Sequence, residues 1–305
     1  MPCHGREALW NKRLKAEKRF GLRLEQPPYR LRMGHVWRSN IISLGLRLLG
    51  VYGWGVRNAL ELQMREETFC FPDLPDALRG FRILHISDPH FIRNDGRLAE
   101  IAAECVRGTE VDLCVLTGDY CWGHFGPQGF FSEPLGQILR EIQSRHGVVG
   151  ILGNHDTHEA ADVLRDLGVK VLINDGCTLQ HGDADLWIGG TDDPHKFLCA
   201  SVPLAMRDAP AEGFRLLLAH TPECAVRALD YEVDLYLCGH THGGQVCLPG
   251  GRLIQVNARC DRAFGEGKWR LGTLQGFTTK GMGTTDVPVR FYCPPEIALL
   301  TLERQ

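Results

Sequence analysis

The stretch FRILHISDPH, Phe81 to His90, is an apolar run closed by an aspartate and a histidine. Its near-continuous hydrophobicity over Phe81–Ser87 reads as a strand buried on both faces, as in parallel sheets. The same design recurs down the chain. LCVLTGD ends at Asp119, and VVGILGNHD ends in Asn154, His155 and Asp156. FRLLLAH ends at His220, and VDLYLCGHTH ends in His240 and His242. Strand patterns at Phe81–Ser87, Leu113–Thr117, Val148–Leu152 and Val169–Leu172 alternate with helical patterns at Arg97–Val106, Gly129–Ser144 and Glu159–Leu167. That rhythm predicts an α/β domain. Strands then dominate, at Leu186–Gly190, Phe214–Ala219, Leu235–Cys238, Gln245–Leu248 and Glu296–Leu302, with a short helix at Pro222–Leu229. A strand-rich second half predicts a second sheet packed on the first.

In α/β sheets, ligands gather beyond the carboxyl ends of the strands. Here those ends deliver Asp88, His90, Asp119, Asn154, His220, His240 and His242 to one edge. Each ending alone is a weak signal. A histidine after an apolar run is commonly a core residue, and an aspartate after a strand is often a helix N-cap. Five such endings drawn from the metal-ligand set are not explained as separate accidents. Carboxylate, amide and imidazole donors together suit two adjacent divalent ions of the Mn²⁺, Fe²⁺ or Zn²⁺ kind. A magnesium site would use fewer imidazoles and more water. His240 and His242, two apart on an extended segment, are expected to point to the same side.

Asp88-x-His90, Gly118-Asp119, Gly153-Asn154-His155-Asp156, His220 and Gly239-His240-x-His242, in that order, resemble the signature of calcineurin-like metallophosphoesterases. The resemblance covers about residues 80 to 305. It implies two packed mixed sheets flanked by helices, a four-layer sandwich, with a di-metal centre at the strand ends. It implies Asp88, His90 and His242 on one ion, Asn154, His220 and His240 on the other, and Asp119 bridging both. A metal-bridging hydroxide would attack a phosphodiester or pyrophosphate in line. His155 would act on the leaving oxygen, with Asp156 either orienting that imidazole or capping the helix that follows it.

Asp119 is followed by YCWGHFG, without the Asp-Arg-Gly of the protein phosphatases. The tail, HTHGGQVCLPGG and TTKGMGTTDVPVRFYCPPEIALLTL, looks like that of membrane-associated bacterial phosphoesterases. That branch includes UDP-2,3-diacylglucosamine diphosphatases of lipid A synthesis alongside phosphodiesterases of less defined substrate. A scaffold that keeps the fold without catalysis would typically lose ligand residues, and none is lost here.

The net charge of -3 conceals a division: residues 1–60 hold 12 Lys/Arg against 3 Asp/Glu, and the remainder holds 22 against 34. An acidic body argues against nucleic acid, whereas a basic arm seeks an anionic surface. Residues 1–40 read as irregular or short helix. Ile41–Val56 spans about 24 Å as a helix, short of the roughly 30 Å hydrocarbon core, and Arg47 interrupts it. Its polar residues share one stripe, so the segment at about residues 40–58 reads as an interfacial amphipathic helix or as a helix packed on its own domain. Residues 1–77 are thus expected to form a basic N-terminal segment with a linker, and 78–305 the catalytic domain. The 12 cysteines form no Cys-x-x-Cys pair and read as reduced core residues of a cytoplasmic protein, peripheral on the inner membrane. Asp192, Asp193 and His195 in GGTDDPHKF read as a cleft-side loop without metal ligands. Lys280 and Arg290 read either as phosphate contacts or as solvated charges. His124, His146, His158 and His181 carry no motif.

Overall fold

The computed structural model describes residues 3–21, 33–92, 96–122 and 128–305; His124 lies outside them. Two mixed six-stranded sheets lie face to face. The first runs in the order Gln63–Phe71, Glu296–Arg304, Arg82–Ile86, Leu113–Leu116, Val148–Gly150, Lys170–Val171. The second runs Gly267–Leu271, Leu274–Thr278, Leu235–Cys238, Phe214–Leu218, Ala184–Gly190, Asp175–His181. Arg82–Ile86, Leu113–Leu116 and Val148–Gly150 are parallel neighbours, as are Ala184–Gly190, Phe214–Leu218 and Leu235–Cys238. Their carboxyl ends therefore share one edge of each sheet.

Period-two alternation sorts the strand residues between layers. Ile83, Val115 and Val149 face Ile188, Leu216, Leu218 and Leu237 of the other sheet, forming the central core. Leu84, Ile86, Cys114 and Leu116 face outward onto helices Arg97–Val106, Ser132–Arg140 and His158–Asp166. In the first of these, Ala99, Ala102, Ala103 and Val106 are buried, the spacing of one helical face. A third cluster, with Trp187, Leu217, Tyr236 and Trp269, covers the outer face of the second sheet. The result is the expected four-layer α/β sandwich.

The strand Gln63–Phe71 lies inside the stretch that the sequence assigns to the N-terminal segment. It pairs in parallel with Glu296–Arg304 along its whole length, so the catalytic sheet begins before residue 78. Its charges at Arg65, Glu66 and Glu67 hide the strand pattern. Such charges suit a sheet edge, where they discourage pairing with other chains. The segment read as irregular or short helix contains a 19-residue helix, α1 (Cys3–Gly21). Its one fully buried side chain among those described is a cation, Arg13, so it shows no apolar stripe.

The segment at 40–58 is two helices, α2 (Met33–Leu48) and α3 (Tyr52–Asn58), broken where Gly50 takes φ 72°. Part of it packs on its own domain. Leu46, Val51, Tyr52 and Val56 pack against Val287, Val289 and Phe291. Ile41, Leu44, Leu48 and Leu49 stay 62%, 58%, 80% and 75% exposed. No helix among the described residues is long and apolar enough to cross a membrane.

Candidate metal centre

The strand ends converge as the ordered endings require. Asp88, His90, Asp119, Asn154, His220, His240 and His242 are all buried, and His155 beside them is partly open. Ligand atoms of Asp88, His90 and His242 lie within 4.8 Å of one another, as do those of Asp119, His220 and His240, and those of His90, Asp119 and His155. Asp119 Oδ2 stands 3.5 Å from His90 Nε2 and 3.2 Å from His220 Nε2, so a single carboxylate faces both imidazole groups. Its other oxygen accepts from the His155 backbone N–H at 2.7 Å. Asn154 Oδ1 is 3.0 Å from His220 Nε2.

Backbone carbonyls select the tautomers, because a carbonyl can only accept. His90 Nδ1–H donates to Cys121 O (3.2 Å) and His220 Nδ1–H to Thr117 O (2.7 Å). His240 Nε2–H donates to Asn257 O (2.7 Å), and His155 Nδ1–H to Trp122 O (2.8 Å). In the neutral rings the lone pairs are left at His90 Nε2, His220 Nε2 and His240 Nδ1. His90 Nε2 and His242 Nε2 face each other at 3.0 Å, which requires a proton or a cation between them. Asp88 Oδ2 is occupied by Ser87 Oγ–H (2.5 Å) and the His240 N–H (2.9 Å). Its Oδ1 is buried with no hydrogen-bond partner, 3.6 Å from His242 Nε2. A buried carboxylate oxygen left over among imidazole lone pairs fits a cation.

The backbone is bent to make this convergence. Asp88, His90, Asp119, His240 and His242 have φ of 52°, 45°, 58°, 70° and 52°. Non-glycine residues rarely hold this left-handed region, and where they do the strain clusters at functional sites. His240 and His242 therefore do not share a face by lying on an extended segment, as the sequence suggests; they sit on a tight turn. Glycines make room for it. A Cβ at Gly153 would stand 2.2 Å from Asp119 Oδ1, and one at Gly239 would stand 2.1 Å from Asp88 Oδ2.

The structure corrects two readings. The Asp156 carboxylate accepts from the backbone N–H groups of Gly153 (2.7 Å), Asp119 (2.8 Å) and Tyr120 (2.9 Å). It ties two ligand loops together, and the His155 ring is held by Trp122 O instead. Nor does it cap the following helix, whose N-cap is Thr157. Burial, then Asp119, pushes the Asp156 carboxyl up to about 7 against those donors. Arg290 is fully buried, with its guanidinium donating to the carbonyls of Lys280 (2.7 Å) and Gly283 (2.6 Å), so it braces the tail rather than meeting a phosphate. Lys280 Nζ is 3.5 Å from Glu266.

In the GGTDDPHKF loop, the His195 ring lies 4.4 Å from His240, and its Nδ1 is 2.7 Å from Glu223 Oε1. His158 pairs with Glu17 at 2.6 Å, and His146 with His181 at 3.0 Å, so neither pair joins the centre. Sequence reasoning missed Lys196, whose Nζ donates to Asn154 O at 3.3 Å. Burial pushes its ammonium down to about 8, although Asp119 acts the other way. Nothing but its place in that loop marked it.

Burial alone would depress His220, but the adjacent Asp119 outweighs it and lifts the imidazole up to about 10. A protonated ring cannot ligate, so cation uptake must release that proton. Mn²⁺ affinity measured calorimetrically is therefore expected to weaken as pH falls, with proton release visible across buffers of different ionisation enthalpy. A pH-independent affinity would contradict this.

Two mixed sheets carrying this donor set at their strand ends define a metallophosphoesterase. The model of the family described as calcineurin-like phosphoesterase matches residues 81–244, more than half of the chain, and the protein belongs to that family. It is 29% identical to the uncharacterized metallophosphoesterase YkuE of Bacillus subtilis, over 82% of this chain and 90% of that one. It is 30% identical to the phosphodiesterase YaeI of Escherichia coli, over 74% of this chain and 84% of that one. Among solved structures, the sulfate thiohydrolase SoxB of Thermus thermophilus aligns with TM-score 0.43 at 13% identity, over 75% of this chain and 58% of that one.

Proposed function

We propose that the protein hydrolyses a phosphodiester or pyrophosphate bond in a substrate presented at a membrane surface. The observation that carries the hydrolytic part is Asp119 Oδ2, shared between His90 Nε2 and His220 Nε2. Asp88, His90 and His242 would hold one divalent ion, Asn154, His220 and His240 the other, and Asp119 both, with Mn²⁺ the first choice and Fe²⁺ or Zn²⁺ next. When bound, the ions supply an activated water and neutralise the phosphoryl oxygens. His155 is the partly open member of the cluster, its Nε2 4.0 Å from Asp119 Oδ2. With Nδ1–H engaged by Trp122 O, a protonated ring presents Nε2–H to the leaving oxygen.

The membrane part rests on the exposed strip of Ile41, Leu44, Leu48 and Leu49 on and just beyond α2, with basic residues in the same arm. Trp54 and Tyr292 are exposed as well, their rings 5.6 Å apart. Such a strip buried in the headgroup region would hold the chain peripherally on the cytoplasmic face of the plasma membrane and favour lipid-linked substrates. UDP-2,3-diacylglucosamine is the specific substrate tested, with general phosphodiesters as the alternative. Mn²⁺-loaded protein is compared on that lipid, on a bis-aryl phosphodiester and on an aryl monoester, with products read by mass. Turnover of the lipid alone supports the lipid reading. Turnover of the diester alone makes the protein a general phosphodiesterase, and turnover of none overturns the hydrolase.

In a separate test, Leu48→Glu with Leu49→Glu is expected to move the protein from anionic vesicles to the supernatant in sedimentation. Unchanged sedimentation would remove the membrane part alone.

A further inference from the structure

We propose that Arg13 of α1 is a positioning residue of the metal centre, so that the basic N-terminal arm is part of the active site. The proposal rests on the di-metal reading above. Arg13 is fully buried, and a buried guanidinium is tolerated only when its donors are matched. Its Nε donates to Glu17 Oε1 at 2.8 Å, and its Nη2 to the Asp156 carbonyl at 2.6 Å. Its Nη1 donates to Asp192 Oδ1. Its face lies 4.5 Å from the Phe197 ring centroid.

The two arms of the guanidinium thus end on two different loops. Asp156 closes the turn that carries Asn154 and His155, and its own carboxylate holds the Asp119 backbone. Asp192 opens the loop that carries His195 and Lys196. Its Oδ1 also accepts from Asp193 N (2.7 Å), and Asp193 accepts from the backbones of His195 (2.9 Å), Lys196 (2.8 Å) and Phe197 (2.6 Å). Lys196 returns to Asn154 O, which closes the circuit. Removing Arg13 would leave Asp192, fully buried, without the cation beside it. Its Oδ2 already lacks a hydrogen-bond partner. The loop would then move to hydrate that carboxylate, taking His195 and Lys196 from the centre and loosening Asn154.

α1 is also docked by Arg6, which pairs with Asp175 at 2.6 Å rather than with Asp156 or Asp192. This provides the control. In the 305-residue chain, Arg13→Lys keeps the charge but cannot reach Asp192 and Asp156 O together in the guanidinium geometry. Arg13→Met removes the charge as well. Both are expected to weaken Mn²⁺ binding, titrated by calorimetry without substrate, by about 10–100-fold, and to lower kcat more than they raise KM. Arg6→Ala is expected to leave both unchanged.

Wild-type Mn²⁺ affinity and kcat in Arg13→Lys would overturn the proposal. So would an equal loss in Arg6→Ala, which would assign the effect to helix docking in general. If Arg13→Met fails to fold, Arg13→Lys decides. If the wild-type protein turns over no substrate, the hydrolase reading fails, while the Mn²⁺ titration still tests Arg13.

Discussion

Asp119→Asn is expected to lower kcat/KM by about 10²–10³-fold, the scale at which one preorganised electrostatic group acts in a dry site. The reason is geometric. Asp119 Oδ1 is committed to the His155 N–H, and Oδ2 alone faces His90 and His220. An amide has a single oxygen. If that oxygen keeps the His155 bond, an NH₂ group confronts the two imidazoles; if it flips, the turn carrying His155 is released. Both outcomes remove the carboxylate charge between the two halves of the centre. The cation stoichiometry, measured on dialysed protein by atomic absorption, is therefore expected to fall with activity. Full activity with full occupancy would show that the halves do not depend on this carboxylate.

His155→Ala is expected to separate catalysis from metal binding. In the proposed mechanism the imidazole gives a proton to the leaving oxygen, and a positioned general acid contributes about 10²–10⁴-fold. Cation stoichiometry is expected to stay at the wild-type value, because His155 is not needed to complete either ligand group. The loss of kcat is expected to be small for a 4-nitrophenyl ester, whose leaving group needs no proton, and large for an alkyl ester. Equal losses for the two esters would remove the acid role.

Several elements were legible without the structure. The helix Arg97–Val106 and the strand Leu235–Cys238 have the boundaries read from the sequence, because one has a clean amphipathic period and the other an uninterrupted apolar run. Gln63–Phe71 was not legible, because an edge strand can carry charges that erase the alternation. Arg13 was not legible because burial of a cation leaves no apolar signature. Asp156 was legible as part of the site but not in its role. An aspartate beside a histidine implies an ion pair, while the three backbone N–H groups that claim its carboxylate belong to Gly153, Asp119 and Tyr120.

The candidate donors and their order were legible in the residues alone, because softness, charge and lone-pair number belong to the residue type and the strand pattern says where the chain releases it. The fold class followed from the alternation of strand and helix patterns and from the family resemblance those endings carry. What each donor offers was decided only by the tertiary structure. His220 presents Nε2 because a carbonyl 103 residues away takes its Nδ1–H, and His240 presents Nδ1 because Asn257 O takes its Nε2–H. Those carbonyls carry no side-chain signal. Their positions exist only once the two sheets have packed and the strand ends have turned through left-handed backbone to meet.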